Sequence, residues 1–542
     1  MKDLCWPFGV EGLIARAMTY IGKIGAIACN ADLNVPEGCR LQRLGVIFIN
    51  ATILYCVSLA IYRRFFHPLR NVPGPFLATI TGWYEFYQDV ILDGQYAHEY
   101  KKLHEKYGSV IRVSPNRVHI DDPEYFREVY VSKADSYVKD PRFYQAGGGI
   151  QQSIIMLIDP KAHRQRKEMI RSMFSPRFME EIAPDIEDVI GRALSQAKVS
   201  HTRGGPLDIQ RIYQAITVDT ITAILFGTSL NLVDSALEPE QPPFLEFMAM
   251  FADNFMLTKH FPILSSIAVQ LPFWLADKLV PGYARFRVQC REWIDKIEAR
   301  NKKGIYVTES GRSTIFDLLL NPNPEKGHQP LNKDILVDEA LALCFAGTDT
   351  TSYGLSLATF YLLKSPDKLK NLKQELQTVK PNLAGLLEYR DVMKLPYLTA
   401  VVKESLRCST PVAGIIPRIV PQEGANVGGY FLCKGTVVSQ TIHTVHQNKS
   451  VWPEAGRFMP ERWLNGDLKE LDKFFVTFSR GPRSCLGTNI TYLEMYLTIA
   501  NFFNQLDMTL YRTDEIRWRE SAAARICQHV RVTVDNVREP QP

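Results

Sequence analysis

The 542-residue chain is 46% hydrophobic and 22% charged, which fits a globular protein with a large core and excludes a disordered or fibrous class. A net charge of +5 is small for this length, and no basic stripe with interleaved aromatics appears, so nothing supports nucleic-acid binding. Ten scattered cysteines without a Cys-x-x-Cys pair exclude a disulfide scaffold and read as an intracellular, thiol-reduced protein.

Residues 1–43 form an N-terminal arm in which Gly12 to Cys29 is apolar but interrupted by Arg16 and Lys23. That pattern leaves open an interfacial helix, a luminal arm or a second span. Residues 44–62 carry no charge and, as a helix, would reach ~28 Å, close to the ~30 Å of bilayer hydrocarbon. Arg63, Arg64, His67 and Arg70 follow at once, as a cytoplasmic end requires. The run lies far from Met1 and has no small-residue cleavage site, so a single-pass anchor is expected rather than a cleaved signal. Residues 63–75 end in Val72-Pro73-Gly74-Pro75, a stiff elbow that bars helix. Residues 76–542 show no linker or repeat and read as one mostly helical domain.

Within that domain, His163 and Lys167 fall at i, i+4 on one face of a basic helix. The polar stretch Asn301 to Lys333 reads as a surface loop. Asp334 to Lys364 carries the longest helical pattern, and at its centre lies Ala346-Gly347-Thr348-Asp349-Thr350-Thr351. Glycine and consecutive threonines are poor in a helix interior. A threonine hydroxyl can bond the i−4 carbonyl and open a groove, and an acid buried there is costly unless used. Ser365-Pro366 supplies an N-cap and an N1 proline for the next helix. Glu404 and Arg407 share a helix face at i, i+3, a spacing that on a surface is worth a few tenths of a kcal/mol. Val427 to Ser439 and Val530 to Val537 look like strands.

Phe478-Ser479-Arg480-Gly481-Pro482-Arg483-Ser484-Cys485-Leu486-Gly487 sets a lone cysteine in a Gly/Pro-rich loop ahead of an apolar helix expected over Leu486 to Phe503. The positive end of that helix and the Arg483 cation would both favour a thiolate, and Gly481 and Gly487 would leave room for a flat macrocycle.

This segment resembles the Phe-x-x-Gly-x-Arg-x-Cys-x-Gly signature of the cytochrome P-450 family. The resemblance runs from about residue 68 onward, with the motifs in the family's order. It implies a mostly α fold, a triangular helical prism with small β sheets, behind an N-terminal transmembrane helix. It implies haem b held by Cys485, whose thiolate pushes electron density onto iron and favours O–O cleavage. By the same resemblance Asp349 relays protons and Thr350 assists oxygen activation. Arg462, in Phe458-Met459-Pro460-Glu461-Arg462-Trp463, completes a buried structural triad with Glu404 and Arg407. His163, Arg418, Arg483 and one of Arg166 and Lys167 reach the haem carboxylates, while Phe478 stands at the haem in the signature. The family usually has arginine where Lys167 stands, which leaves that choice open. Thr491 replaces a common alanine without evident purpose, and His446 matches a structural histidine.

The activity implied is a monooxygenase that inserts one oxygen atom from O2 into an apolar small molecule by hydroxylation or epoxidation. The elbow and signature look like fungal microsomal members, which points to secondary metabolism such as terpenoid or polyketide pathways. Electrons would come from NADPH through a separate NADPH–cytochrome P-450 reductase docking on basic residues near Arg480 and Arg483. The location implied is the endoplasmic reticulum membrane, with the catalytic domain cytosolic. The distal segments, Tyr144 to Leu157, the helix around Phe345, Pro411 to Ile416 and the turn near Ala523, carry few charges. A non-oxygenating rearrangement or dehydration is the rival reaction, and the intact Asp349-Thr350 pair argues against it.

Overall fold

A computed structural model describes residues 37–146, 149–240, 242–279, 281–308, 311–465 and 467–538. Most of the expected N-terminal arm, including Gly12 to Cys29, lies outside them, as do Gly147 and Gly148.

Helix α1 (Glu37–Ile61) passes into a wider turn, Tyr62–Phe66, and its apolar side chains Phe48, Ile49, Ile53 and Leu54 are exposed. A stretch from Gln42 to Phe66 is long and apolar enough to cross a membrane, and none of it is buried against the rest of the protein. The expected span of 44–62 lies within it. The Arg63 guanidinium then donates to the Ile80 carbonyl at 2.9 Å, and Arg112 donates to the Arg63 carbonyl at 2.9 Å. The elbow is thus bonded to the body on both sides.

The body is mostly helical. Helix α2 (Pro160–Ile170) is capped by Asp159 and has Pro160 at N1. Helix α3 (Pro176–Arg203) is capped by Ser175, and helix α4 (Ile209–Phe226) by Asp208. Helices α5 (Pro243–His260) and α6 (Pro281–Asn301) pack on each other, joined by two short helices, Pro262–Gln270 and Phe273–Leu279. Helix α7 (Lys333–Leu363) matches the expected long helix to within a residue at each end. The Asn332 side chain accepts from the Ile335 N–H at 2.9 Å to start it. It runs through the core against α4, α6, α8 (Pro396–Ser409) and α9 (Thr488–Gln505), with side chains buried along almost its whole length.

The strands are few. One sheet joins Val110–Ser114, Arg117–Ile120, Val437–Ser439 and Arg418–Ile419, in that order. Another pairs Arg531–Val537 with Leu506–Leu510 and with Leu207–Asp208. A hairpin joins Trp518–Glu520 to Ala524–Ile526.

Two expectations need correction. The stretch Val427 to Ser439 is not one strand. Gly428 and Gly429 both adopt positive φ (53° and 84°), as a two-residue hairpin turn demands, and close Ala425–Val427 onto Tyr430–Leu432. Nor is Asn301 to Lys333 only a loop. Ile315–Leu320 forms a helix started by a capping box between Thr314 and Asp317, and it buries Ile315, Phe316 and Leu319. Ser365 precedes its helix as expected but makes no capping bond through its side chain.

Candidate active site

Between Leu336 and Phe360, helix α7 is buried everywhere except at Ala346, Gly347 and Thr350. Those three open onto a cleft. The Thr350 hydroxyl donates to the Ala346 carbonyl at 2.7 Å, the i−4 bond that loosens a helix turn. Gly347 is required by its neighbour, because a Cβ there would lie 2.7 Å from the Ile221 side chain of α4. Thr351, one residue further, meets Thr491 of α9 at 3.3 Å between hydroxyl oxygens. That contact is the observed role of Thr491, for which the sequence offered none. Glu494, one turn on, is buried, and that burial holds its carboxyl well above the usual range.

Cys485 lies three residues before α9 and is exposed. Its loop is locked by the Cys485 N–H donating to the Phe478 carbonyl at 2.9 Å. The Phe478 ring packs on Tyr492 of α9, with centroids 5.5 Å apart. Burial pushes the thiol up from its ordinary pKa, while the Gly487 N–H and the Lys167 cation pull it down. The helix-end contribution is as expected, but the cation is Lys167 and not Arg483. The two glycines also divide differently. Gly481 has φ of 73° and packs on backbone, since a Cβ would sit 2.3 Å from the Tyr130 carbonyl oxygen. Only Gly487 borders the sulphur, and a Cβ there would make ordinary contact at 3.7 Å.

Around the cleft stand His163, Lys167, Arg418 and Arg483, joined by Lys139, which no sequence pattern singles out. An isolated backbone bridge sets Lys139 beside Arg418. Among the described residues none of the five forms an ion pair with a carboxylate. Arg418 donates to the Tyr144 hydroxyl at 3.1 Å, and Arg483 to the Leu157 and Ile158 carbonyls at 2.8 and 2.7 Å. Arg483 is thereby turned inward and is no part of an exposed docking surface. Burial and then the Arg418 charge push Arg483 down to about 10. Burial and then Arg483, Lys139, Lys167 and Arg418 push His163 down to about 3. Burial, with Arg418 and Arg483, drives Lys139 well below its ordinary value.

Arg166 and Lys167 point in different directions. Arg166 is buried in an ion pair with Glu339 of α7. Lys167 reaches the cysteine loop, with Nζ 3.3 Å from the Ser484 carbonyl.

Beneath the loop, Glu404 accepts from Arg407 (2.8 and 3.0 Å), Arg462 (3.1 Å), the Trp463 indole (2.9 Å) and the Met459 N–H (2.9 Å). Arg407 also donates to the His446 and Ala455 carbonyls, both at 2.9 Å. The expected triad is therefore formed, with Glu404 and Arg407 fully buried and Arg462 partly so. His446 accepts from the Val476 N–H at 3.0 Å and stacks on Phe475, a structural part.

Cations that repel one another persist in a fold when an anion shares them, and a thiol opening onto a cleft suits a metal. A macrocycle with two carboxylates and an iron satisfies both demands, so the residues present fit haem. The class is that of a haem-thiolate oxidoreductase. A family model described as cytochrome P-450 matches residues 73–528. The chain is 46% identical over 486 residues to the cytochrome P-450 monooxygenase BOT1 of Botryotinia fuckeliana, covering 89% of this chain and 94% of that one. It is 35% identical over 450 residues to the cytochrome P-450 monooxygenase aneF of Aspergillus aculeatus, covering 83% and 90%. It is 35% identical over 477 residues to phqM of Penicillium fellutanum, another cytochrome P-450 monooxygenase, covering 86% and 87%. The chain belongs to the cytochrome P-450 family and is a monooxygenase.

Proposed function

We propose that the protein inserts one oxygen atom from O2 into an apolar small molecule, by hydroxylation or epoxidation, in fungal secondary metabolism. The observation that carries this reading is the pairing of an open Cys485 thiol with the Ala346–Thr350 groove, in a helix otherwise buried. When bound, haem supplies the oxygen activation. Cys485 would hold its iron, and Lys139, His163, Lys167, Arg418 and Arg483 would share its carboxylates. Phe478, packed on Tyr492, would steady the loop that presents the sulphur. Thr350 would hold a proton donor in the groove, and Asp349 would replenish it from solvent. Ile154, Phe345 and Ile415, in segments that the resemblance assigns to the distal side, are apolar and buried, and favour an apolar substrate.

Electrons would come from NADPH through a separate flavoprotein reductase. Its docking site would be the exposed Lys161 and Arg171 around α2 rather than Arg483, which points inward, or Arg480 and Arg164, which face Asp472 and Asp135 at 3.3 and 3.2 Å. The apolar Gln42–Phe66 stretch and the cations after it support anchoring in the endoplasmic reticulum membrane with the body in the cytosol.

The test is the absorption spectrum of the dithionite-reduced full-length protein under carbon monoxide, in detergent, beside Cys485→His. The expected result is the red-shifted Soret band of thiolate ligation, lost in the variant. A histidine-like band in the unaltered protein would overturn the assignment.

A further inference from the structure

Helices α6 and α7 grip the chain between Gly149 and Ile154 by its backbone. The Tyr283 hydroxyl of α6 donates to the Gly149 carbonyl at 2.8 Å, and Arg287, one turn on, donates to the same carbonyl at 3.2 Å. Gly149 is required there, because its φ is 87° and a Cβ would lie 2.4 Å from the Tyr283 ring. Asp338 of α7 accepts the Gln152 N–H at 3.1 Å and pairs with Arg287 at 2.7 Å. Glu339, the next residue, accepts the Ile154 N–H at 3.0 Å and pairs with Arg166. Both acids are buried, which is costly unless their bonds are used, and each directs an oxygen at a backbone N–H of this segment. The segment is also bonded to itself: the Ser153 N–H donates to the Ile150 carbonyl, and the Met156 and Leu157 N–H groups donate to the Ser153 carbonyl. Its far end meets the cations of the cleft. The Ile155 carbonyl accepts from Lys139 at 2.5 Å, and the Leu157 and Ile158 carbonyls accept from Arg483 at 2.8 and 2.7 Å. Lys139 and Arg483 repel each other, and among the described residues no carboxylate pairs with either, so these carbonyls are what hold them. Residues 149–158 are thus a stiff strap with two acids at one end and two cations at the other.

We propose that Asp338 and Glu339 are positioning residues for haem binding: by fixing the strap they set the carbonyls that aim Lys139 and Arg483 at the haem carboxylates. The inference rests on the reading that those two cations share the haem carboxylates. A lysine or arginine head has many rotamers until its donors are taken, and a charge-assisted bond needs its acceptor within about 3 Å. Slack in the strap would let the two heads drift apart under their own repulsion. A fixed strap orders them before haem arrives, which removes a conformational cost that binding would otherwise meet.

Transfer of haem from the full-length ferric protein to excess apomyoglobin measures this without a substrate. Asp338→Ala, which removes the acceptor of the Gln152 N–H, should speed haem loss about 10-fold or more, the scale on which the partners of a ligating group act. Asp338→Asn keeps an acceptor oxygen and should lie close to the native rate. Arg483→Gln alone should also speed loss. Asp338→Ala added to it should multiply the rate by less than it does alone, because the strap then has one cation fewer to aim. The haem-carboxylate bending band in the resonance Raman spectrum should move in Asp338→Ala and in Arg483→Gln alike. A native rate in Asp338→Ala, or multiplication by its full factor in the double variant, overturns the proposal. Should Asp338→Ala not fold, Tyr283→Phe decides: it deletes the hydroxyl on the Gly149 carbonyl and should speed loss in the same sense, and a native rate there overturns the proposal equally. If Arg483→Gln itself keeps the native rate, the reading of that cation fails first and the proposal falls with it, whereas fast loss in Arg483→Gln beside a native Asp338→Ala sinks the proposal alone.

Discussion

Lys167 touches the cysteine loop while its neighbour Arg166 turns away: Nζ of Lys167 lies 3.3 Å from the carbonyl oxygen that precedes Cys485. A cation there favours the reduced form of a bound iron, because it offsets the electron density the thiolate supplies. Lys167→Gln is therefore expected to move the haem midpoint potential to a more negative value, with Lys167→Arg close to native. A potentiometric titration that finds no difference would remove Lys167 from the site.

Arg166 should behave differently. Its partner Glu339 is buried, and burial pushes that carboxyl up to about 7 despite the Arg166 charge. Its folded pKa thus exceeds the ordinary glutamate value, so the native pair is ionised only above about pH 7 and the carboxyl is protonated below. Arg166→Gln should cost about 3–5 kcal/mol at pH 8 and clearly less at pH 6. Denaturant unfolding of the variant and the native protein at both pH values measures this. A cost independent of pH would mean that Glu339 does not titrate in this range.

The Glu404 cluster gives a sharper stability prediction. Its carboxylate receives bonds from Arg407, Arg462, Trp463 and the Met459 backbone with no exposed atom among the pair Glu404–Arg407. Removing the acid strands two buried guanidinium groups, so Glu404→Ala is expected to lose about 3–5 kcal/mol and to load haem poorly. The double change Glu404→Leu/Arg407→Met should recover part of that loss, since well-packed apolar groups replace such pairs at little cost. If the double variant is worse than the single one, the pair is more than a filled core.

These contacts also show what a sequence can disclose. Cys485, Thr350 and Glu404 were legible because local spacing fixes them: a loop before a helix, an i−4 hydroxyl bond, an i, i+3 pair. Lys139 and Arg525 were not. Each reaches its partner across a long stretch of chain, Lys139 through a bridge to Arg418 and Arg525 through a hairpin laid on α7. No periodicity announces either. The Gly428-Gly429 turn could have been found, because two consecutive glycines are the ordinary signal of a tight hairpin.

The elbow should respond to acid. His67 Nδ1 accepts the Leu69 N–H at 3.1 Å, which requires a neutral ring. Burial, then the Arg112 and Arg63 charges, lower His67 to about 3. The unfolded ring takes up a proton near pH 6.5 and the folded one does not, so this part of the stability is present above pH 6.5. It is lost as pH falls toward 3, at most about 1.4 kcal/mol per unit. Proteolysis within residues 63–75 should therefore accelerate between pH 7 and pH 5 in the native protein. His67→Asn keeps an acceptor that does not titrate and should flatten the dependence. Equal acceleration in both would place the sensitivity elsewhere.

The anchor helix does not account for all the apolar surface near it. Phe76, Trp83 and Ile91, just past the elbow, and Ile263, Phe273 and Trp274, between α5 and α6, are all more than half exposed. Ring contacts tie the two groups together, with Trp83 6.3 Å and Phe86 5.7 Å from Phe261 between centroids. The end of α5 is pinned to the first group by Lys259 and His260, which meet Asp89 at 2.7 and 2.8 Å. The patch is thus tied together, follows the end of the anchor in the chain, and carries two exposed tryptophans, amphipathic rings that suit a lipid interface. A chain lacking residues 1–66 is therefore expected to keep measurable affinity for phospholipid vesicles in sedimentation. Trp83→Ser together with Trp274→Ser should weaken it, each loss being on the order of 2 kcal/mol or roughly 30-fold in partitioning if the ring is fully immersed. Because both side chains are more than half exposed, the melting temperature should change little, Trp83 giving up only its ring contacts with Phe86 and Phe261, which separates lost membrane contact from lost folding. Binding that vanishes with residues 1–66 alone would show that the patch faces water and that the anchor holds the protein without it.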